Sequence, residues 1–229
     1  MIITIDGEAA SGKGTLGKLL AKELNFAYLD TGLLYRLTAY LAAQEGVISD
    51  SEKIVELAEN IKIEHLDYAL MNEELKSEAT AILASKVSSI LEVRVVLLNL
   101  QKEFIQRFII QGAILDGRDI GTVIYPEAEI KFFITADPKE RAKRRYKEIQ
   151  EEALKKTTGK DSDAEKAMLT YEEILQSLIN RDFSDKNRPH GTLKKAPDAK
   201  EINTTDLSIQ EAFDEAYEYI QNYLKHSKI

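Results

Sequence analysis

Ile2-Ile3-Thr4-Ile5-Asp6-Gly7-Glu8-Ala9-Ala10-Ser11-Gly12-Lys13-Gly14-Thr15 is the stretch from which the rest of the chain is read. A short β-branched run leads into a glycine-rich loop, and helical periodicity begins near Lys13. A loop wrapped around a polyphosphate must turn its N–H groups inward, and Gly7, Gly12 and Gly14 let the main chain approach phosphate oxygens with no intervening Cβ. The helix that follows adds unpaired donors and the positive end of its dipole. Lys13 supplies a mobile charge for the outer phosphates. Thr15 brings a hydroxyl to the shell of a bound Mg²⁺, one place later than in the strict Gly-Lys-Ser/Thr pattern. The run Gly7, Glu8, Ala9, Ala10, Ser11, Gly12, Lys13, Gly14 and Thr15 is therefore expected to cradle a polyphosphate.

Working outward, Leu16, Leu19, Leu20 and Leu24 fall at helical spacing and Asn25 closes the helix. Phe26 to Leu29 reads as a second strand ending in Asp30-Thr31-Gly32, and the next amphipathic helix carries Tyr35 and Arg36 near its start. An open parallel sheet keeps its ligand crevice at the carboxyl ends of its strands, so Thr31, Tyr35 and Arg36 are candidates for a second substrate. A helix is expected near Ser51 to Asn60, a short strand at Ile61 to Glu64, and helices on both sides of Ile90. Gly112 to Asp116 is an apolar strand ending in an acid positioned to bind Mg²⁺ through water, and the glycine-bracketed loop Gly117-Arg118-Asp119-Ile120-Gly121 follows it. Ile130 to Thr135 is another strand. Asp137-Pro138 then opens a helix bearing Arg141, Arg144 and Arg145.

Apolar periodicity is lost from Glu151 to Asp163, which reads as a loop able to close over phosphates. Met168 to Leu178 is helical and leads into Arg181-Asp182-Phe183-Ser184-Asp185-Lys186-Asn187-Arg188-Pro189, whose charges suit a ligand site or a solvated turn. Lys200 to Asn203 is a last strand and Ser208 the N-cap of a final helix. Strands alternate with helices throughout, as in one α/β domain.

Composition narrows the function classes. At 229 residues the chain buries a real core, and its net charge of -8 disfavours a nucleic-acid or membrane-surface binder. There is no cysteine, and His65, His190 and His226 have no metal-ligand spacing. The first apolar run ends at Asp6 with no basic segment before it, and no stretch is long enough to span a membrane, so a cytoplasmic protein is expected.

The set of motifs is similar to the bacterial cytidylate kinases. The likeness rests on Ile5-Asp6-Gly7 through Thr15, Tyr28 to Gly32 with Tyr35-Arg36, Ala84-Ser85 with Val93-Arg94, Asp116 to Val123, Arg181-Asp182 to Arg188, and Thr204 to Ile209. It implies a P-loop NTPase three-layer sandwich with a parallel five-stranded sheet. Within a single domain, residues 1–229, it implies a monophosphate-binding insertion at about 50–91 and a small lid at about 151–165. The insertion is about a dozen residues shorter than usual between Ile61 and Lys76. Glu8 takes the place of a common proline, and His190-Gly191-Thr192 that of an apolar stretch.

The implied activity is Mg²⁺-dependent transfer of the γ-phosphoryl group of ATP to CMP or dCMP by a monomer with no nucleic-acid or membrane partner. By resemblance Thr31, Arg36, Ser85, Arg94, Arg118, Asp119, Arg181, Asp185 and Arg188 surround the monophosphate, joined by Tyr35 from the sequence itself. Arg36 and Arg94 suit its phosphate, and Ser85, Arg118 and Asp119 the cytosine edge. Lys13 and Arg188, with Arg144 or Arg145 from the closing loop, neutralise the transferring group, while Asp116 and Thr15 serve the metal. A kinase of AMP, UMP or shikimate is the near rival. A GTP-hydrolysing switch is the distant one, lacking both an Asn-Lys-x-Asp motif and an Asp-x-x-Gly after a strand.

Overall fold

β1 (Ile2–Gly7) is buried along its whole length, which only a central strand covered on both faces can be. The computed structural model describes residues 1–66, 72–156 and 169–226. After β1 come α1 (Lys13–Leu24), β2 (Ala27–Asp30), α2 (Thr31–Gln44), α3 (Ser51–Glu59), a 3₁₀ turn at Glu73–Lys76, α4 (Glu78–Val87) and α5 (Leu91–Phe108). The second half holds β3 (Ala113–Gly117), a π-helical turn at Ile120–Ile124, β4 (Ile130–Thr135), α6 (Pro138–Lys156), α7 (Tyr171–Asn187), β5 (Lys200–Asn203) and α8 (Ile209–His226).

Among the described residues the sheet has five strands, all parallel, in the order β2-β3-β1-β4-β5. This is the α/β P-loop architecture. The two-residue period of the strands divides the interior into two cores. Ile3, Ile5 and Ile114 point to one side, against Leu16 and Leu20 of α1 and Ala216 and Ile220 of α8. Ile2, Leu29 and Leu115 point to the other, against α2, α3 and α5. A third, smaller cluster of Ala9, Ala142, Ile174 and Leu178 seals the phosphate loop to α6 and α7.

Several expectations change. Ile61 to Glu64 is not a strand: His65 N–H bonds Lys62 carbonyl and Leu66 N–H bonds Ile63 carbonyl, which makes turns, and Ile61 is apolar because it packs in the core. α2 begins at Thr31 itself, since the Asp30 carboxylate accepts the Leu33 N–H at 3.2 Å and caps the helix. The charged run from Arg181 is no solvated turn. α7 continues to Asn187, with Ile174, Leu178, Asp182 and Asp185 buried at helical spacing. Residues 151–156 extend α6, and the rest of the expected lid lies outside the described residues. Among the described residues no helix is long and apolar enough to cross a membrane.

Candidate active site

β1 delivers the chain to the carboxyl edge of the sheet, and the loop after it turns back through two left-handed residues, Ala10 (φ 57°) and Gly12 (φ 90°). A non-glycine residue in that region costs about 1 kcal/mol, so the turn is held by its surroundings. Gly12 caps α1 without any side-chain bond, leaving the first-turn amides of Lys13, Gly14 and Thr15 without intrahelical acceptors. The Ser11 hydroxyl is buried with no partner. An empty-handed donor beside a helix N-terminus is what a phosphate oxygen satisfies.

The three loop glycines are not equivalent. Gly12 is required by its φ. A Cβ on Gly7 would collide with the Ile134 carbonyl of β4, so strand packing alone requires a glycine there. A Cβ on Gly14 would stand 3.1 Å from Asp116 Oδ2, so Gly14 lets the β3 carboxylate approach the helix.

That carboxylate is held by Tyr28, whose hydroxyl donates to Asp116 Oδ2 at 2.7 Å. Burial, then the nearby Asp30, pushes Asp116 up to about 6. Burial, then Arg118, pushes Lys13 down to about 8. Among the described residues no three His, Cys, Asp or Glu side chains form a metal cage. A cation here would rest on Asp116, the exposed Thr15 and phosphate oxygens, which suits Mg²⁺, an ion that keeps several waters and takes one or two carboxylates.

Two cavities meet over this edge. One, about 160 Å³, is lined by Thr31, Tyr35, Arg36, Ser85, Arg94, Arg118, Asp119, Arg181, Asp185 and Arg188. The fold thus gathers every residue expected around the monophosphate, from α2, α4, α5, the loop after β3 and α7. The cations there are already paired. Arg94 meets Asp119 at 2.6 Å and stacks its guanidinium 5.6 Å from the Tyr35 ring. Arg118 donates to Asp185 at 2.7 Å, Arg36 to Asp30 at 2.5 Å, and Arg181 lies 3.6 Å from Glu78. Arg188 donates to the Gly191 carbonyl at 2.5 Å, to Ser88 Oγ at 3.2 Å and to Asp185 at 3.3 Å. Burial would raise the Asp185 carboxyl, but Arg118 and Arg188 outweigh it and hold it below the usual range. The Thr31 hydroxyl donates to the Asp116 carbonyl at 2.7 Å, tying α2 to β3.

The other cavity is an open groove of about 730 Å³ running from Ala10–Leu16 past Arg144 and Arg145 to Thr204 and Leu207. Arg144 and Arg145 belong to α6 rather than to a closing loop. Arg144 donates to the carbonyls of Thr204 (2.6 Å) and Thr205 (3.1 Å), and Arg145 pairs with Glu148 at 3.1 Å. They line only the groove and Arg188 lines only the smaller cavity, so the fold sets the cations expected around the phosphoryl group in two adjoining cavities.

Some residues of the site carried no sequence signal of their own. Asp6, next to the loop, accepts the Ile120 and Gly121 N–H groups at 2.8 Å each and so fixes the segment holding Arg118 and Asp119. Burial pushes it up to about 7 against the pull of those two bonds. Asp30 read as a strand end, and its pairing with Arg36 follows from capping. Glu78 and Ser88 sit on or beside α4, where only tertiary contact reveals them.

Comparison with known proteins agrees with this geometry. The profile of the cytidylate kinase family matches residues 3–222. A cytidylate kinase of Clostridium tetani is 37% identical over 100% of this chain and 97% of its own. A cytidylate kinase of Bartonella bacilliformis is 42% identical over 98% and 96%. Among solved structures, an uncharacterized protein from Eubacterium ventriosum superposes with a TM-score of 0.50 at 14% identity, covering 97% of this chain and 98% of its own, a likeness of fold alone.

Proposed function

The chain belongs to the cytidylate kinase family, and on that premise we propose that it transfers the γ-phosphoryl group of ATP to CMP or dCMP, giving ADP and CDP or dCDP. The observation that carries the reading is the border between the two cavities, where Lys13, Gly14, Asp30, Arg36 and Arg181 line both. A donor in the groove and an acceptor in the cavity face each other across that line. In line, the transfer needs no protein nucleophile: the two polyanions must be aligned, their repulsion cancelled and water kept out.

Each part has a residue for it. The loop amides of Gly7 to Thr15 and Lys13 hold the donor phosphates, and Arg144 and Arg145 flank them from α6. Arg36 and Arg94 fork onto the acceptor phosphate. Ser85, Arg118 and Asp119 read the cytosine edge, the carboxylate accepting from the C4 amino group. Arg181 and Asp185 hold the sugar side, and Arg188 balances charge on the acceptor side. Mg²⁺, carried through water by Asp116 and Thr15, supplies charge neutralisation between the phosphates when bound. The segment at about 50–91 is the acceptor-binding insertion and that at about 151–165 the lid, in a protein that works as a monomer in the cytoplasm.

The test is a coupled assay of ADP formation with ATP and Mg²⁺, comparing CMP, dCMP, UMP, AMP and shikimate. Preference for CMP and dCMP is expected. Turnover with another acceptor alone would keep the phosphate site and overturn the base assignment.

A further inference from the structure

Glu8 is the one acid inside the phosphate loop, and the transfer has no use for its carboxylate. That carboxylate is turned away from the groove. Oε1 accepts from Lys186 Nζ at 2.8 Å, and Oε2 accepts from Thr135 Oγ1 at 2.9 Å. Behind it the fully buried Arg141 donates to the Ala9 carbonyl at 2.9 Å and to Asp182 at 2.6 Å, with Glu8 Oε2 3.9 Å away. Burial would raise the Glu8 carboxyl, but Lys186, Thr135 and Arg141 outweigh it and keep it low, so it is charged at neutral pH.

Lys186 and Asp182 both belong to α7, which also carries Arg181 and Asp185 and is followed directly by Arg188 as its C-cap. Neighbouring helix residues are turned about 100° from one another. Arg181 and Asp185 therefore face the acceptor cavity while Asp182 and Lys186 face the phosphate loop. The apolar cluster of Ala9, Ala142, Ile174 and Leu178 lies under these bonds and makes loop, α6 and α7 one packed unit. A small shift of the loop is thereby passed to the helix that presents the acceptor-side charges.

We infer that Glu8 and Lys186, with Arg141 and Asp182, are positioning residues that couple occupation of the donor loop to affinity in the acceptor cavity. This rests on the proposed donor and acceptor sites, and it assigns the link between them. The coupling is reciprocal: whatever factor the donor adds to acceptor binding, the acceptor adds to donor binding.

The test is calorimetric titration of the full chain with CMP, with and without β,γ-methylene ATP and Mg²⁺. It compares wild type, Glu8→Gln, Lys186→Gln and the double variant, with Lys195→Gln, which breaks the exposed pair to Glu201, as control. The ratio of the two CMP dissociation constants is the coupling. Each single variant is expected to move that ratio toward one by about two- to fivefold, the double variant no further, and the control not at all. A wild-type ratio of one, or single variants that keep the wild-type ratio, overturns the inference. So does an equal loss of CMP affinity with and without the analogue, which is what a merely structural role produces. If wild type binds neither CMP nor the analogue, the donor and acceptor assignment itself fails and takes the inference with it.

Discussion

The groove proposed for the donor and the cavity proposed for the acceptor share a border and differ in how they are made. The groove is built from main chain: a left-handed turn, the open amides of a helix start, an orphaned serine hydroxyl and one lysine. The cavity is built from side chains, with Arg94, Arg118, Arg36 and Arg188 each held by a carboxylate before any ligand arrives. The difference teaches where selectivity lies. Backbone amides bind any phosphate chain, whereas a lattice of paired charges has a fixed shape and opens only to a ligand that replaces its bonds.

The comparison breaks most sharply at the border. Lys13→Ala should lower kcat about 10²- to 10³-fold, because the charge serves the transferring group more than either ground state. A fall of less than tenfold in the coupled assay would mean the groove works by its backbone alone. On the cavity side, Asp119→Ala should raise KM for CMP at least about tenfold with KM for ATP unchanged, while Arg188→Ala should act mainly on kcat. Asp119→Ala also strands Arg94, a buried cation whose partner stood at 2.6 Å, and should cost about 3 kcal/mol in denaturant unfolding. Equal changes in both KM values would erase the distinction between the sites.

Two glycines sharpen it further. Gly7→Ala meets the Ile134 carbonyl, which cannot yield, and should lower stability by about 1–3 kcal/mol as read by thermal melting. Gly191→Ala meets the Arg94 guanidinium from a left-handed residue at φ 62°, and should raise KM for CMP several-fold with little effect on KM for ATP. A selective ATP effect of Gly191→Ala would move that loop to the wrong side of the border.

The smallest effect is in pH. Asp6 is raised from 3.8 to about 7. A raised carboxyl favours folding while protonated, so its contribution is full below 3.8 and is lost as pH rises through about 7. Relative to Asp6→Asn, wild type should lose on the order of 1 kcal/mol or more between pH 4 and pH 7.5 in denaturant melts. A pH-independent difference would show that the Ile120 and Gly121 N–H bonds fully offset burial.

Most of the fold was legible because its signals are local. Strand alternation around Ile3 and Ile5, the Leu16-Leu20 stripe and the caps at Asn25 and Ser208 each act within a few residues. The errors have local causes too. Ile61 and Ile63 alternate like a strand but find no partner strand, and the charges from Arg181 to Arg188 suit a ligand site and a solvated turn alike because their partners are remote. Arg118 pairs with a residue 67 positions away, and Asp6 with amides 114 and 115 positions away.

By itself, then, the sequence determined the phosphate loop and the order of strands and helices, while most residues around the cavity were named through the family resemblance. It could do so because backbone recognition needs only glycines and a helix start in the right order. Tertiary structure alone decided which acid holds which arginine, that β4 leaves no room for a side chain at Gly7, that Arg144 and Arg145 line the groove while Arg188 lines the cavity, and that Glu8 faces α7. The physical reason is that an ion pair between distant residues depends on where the packed chain brings their side chains, a property of the closed fold that no local pattern encodes.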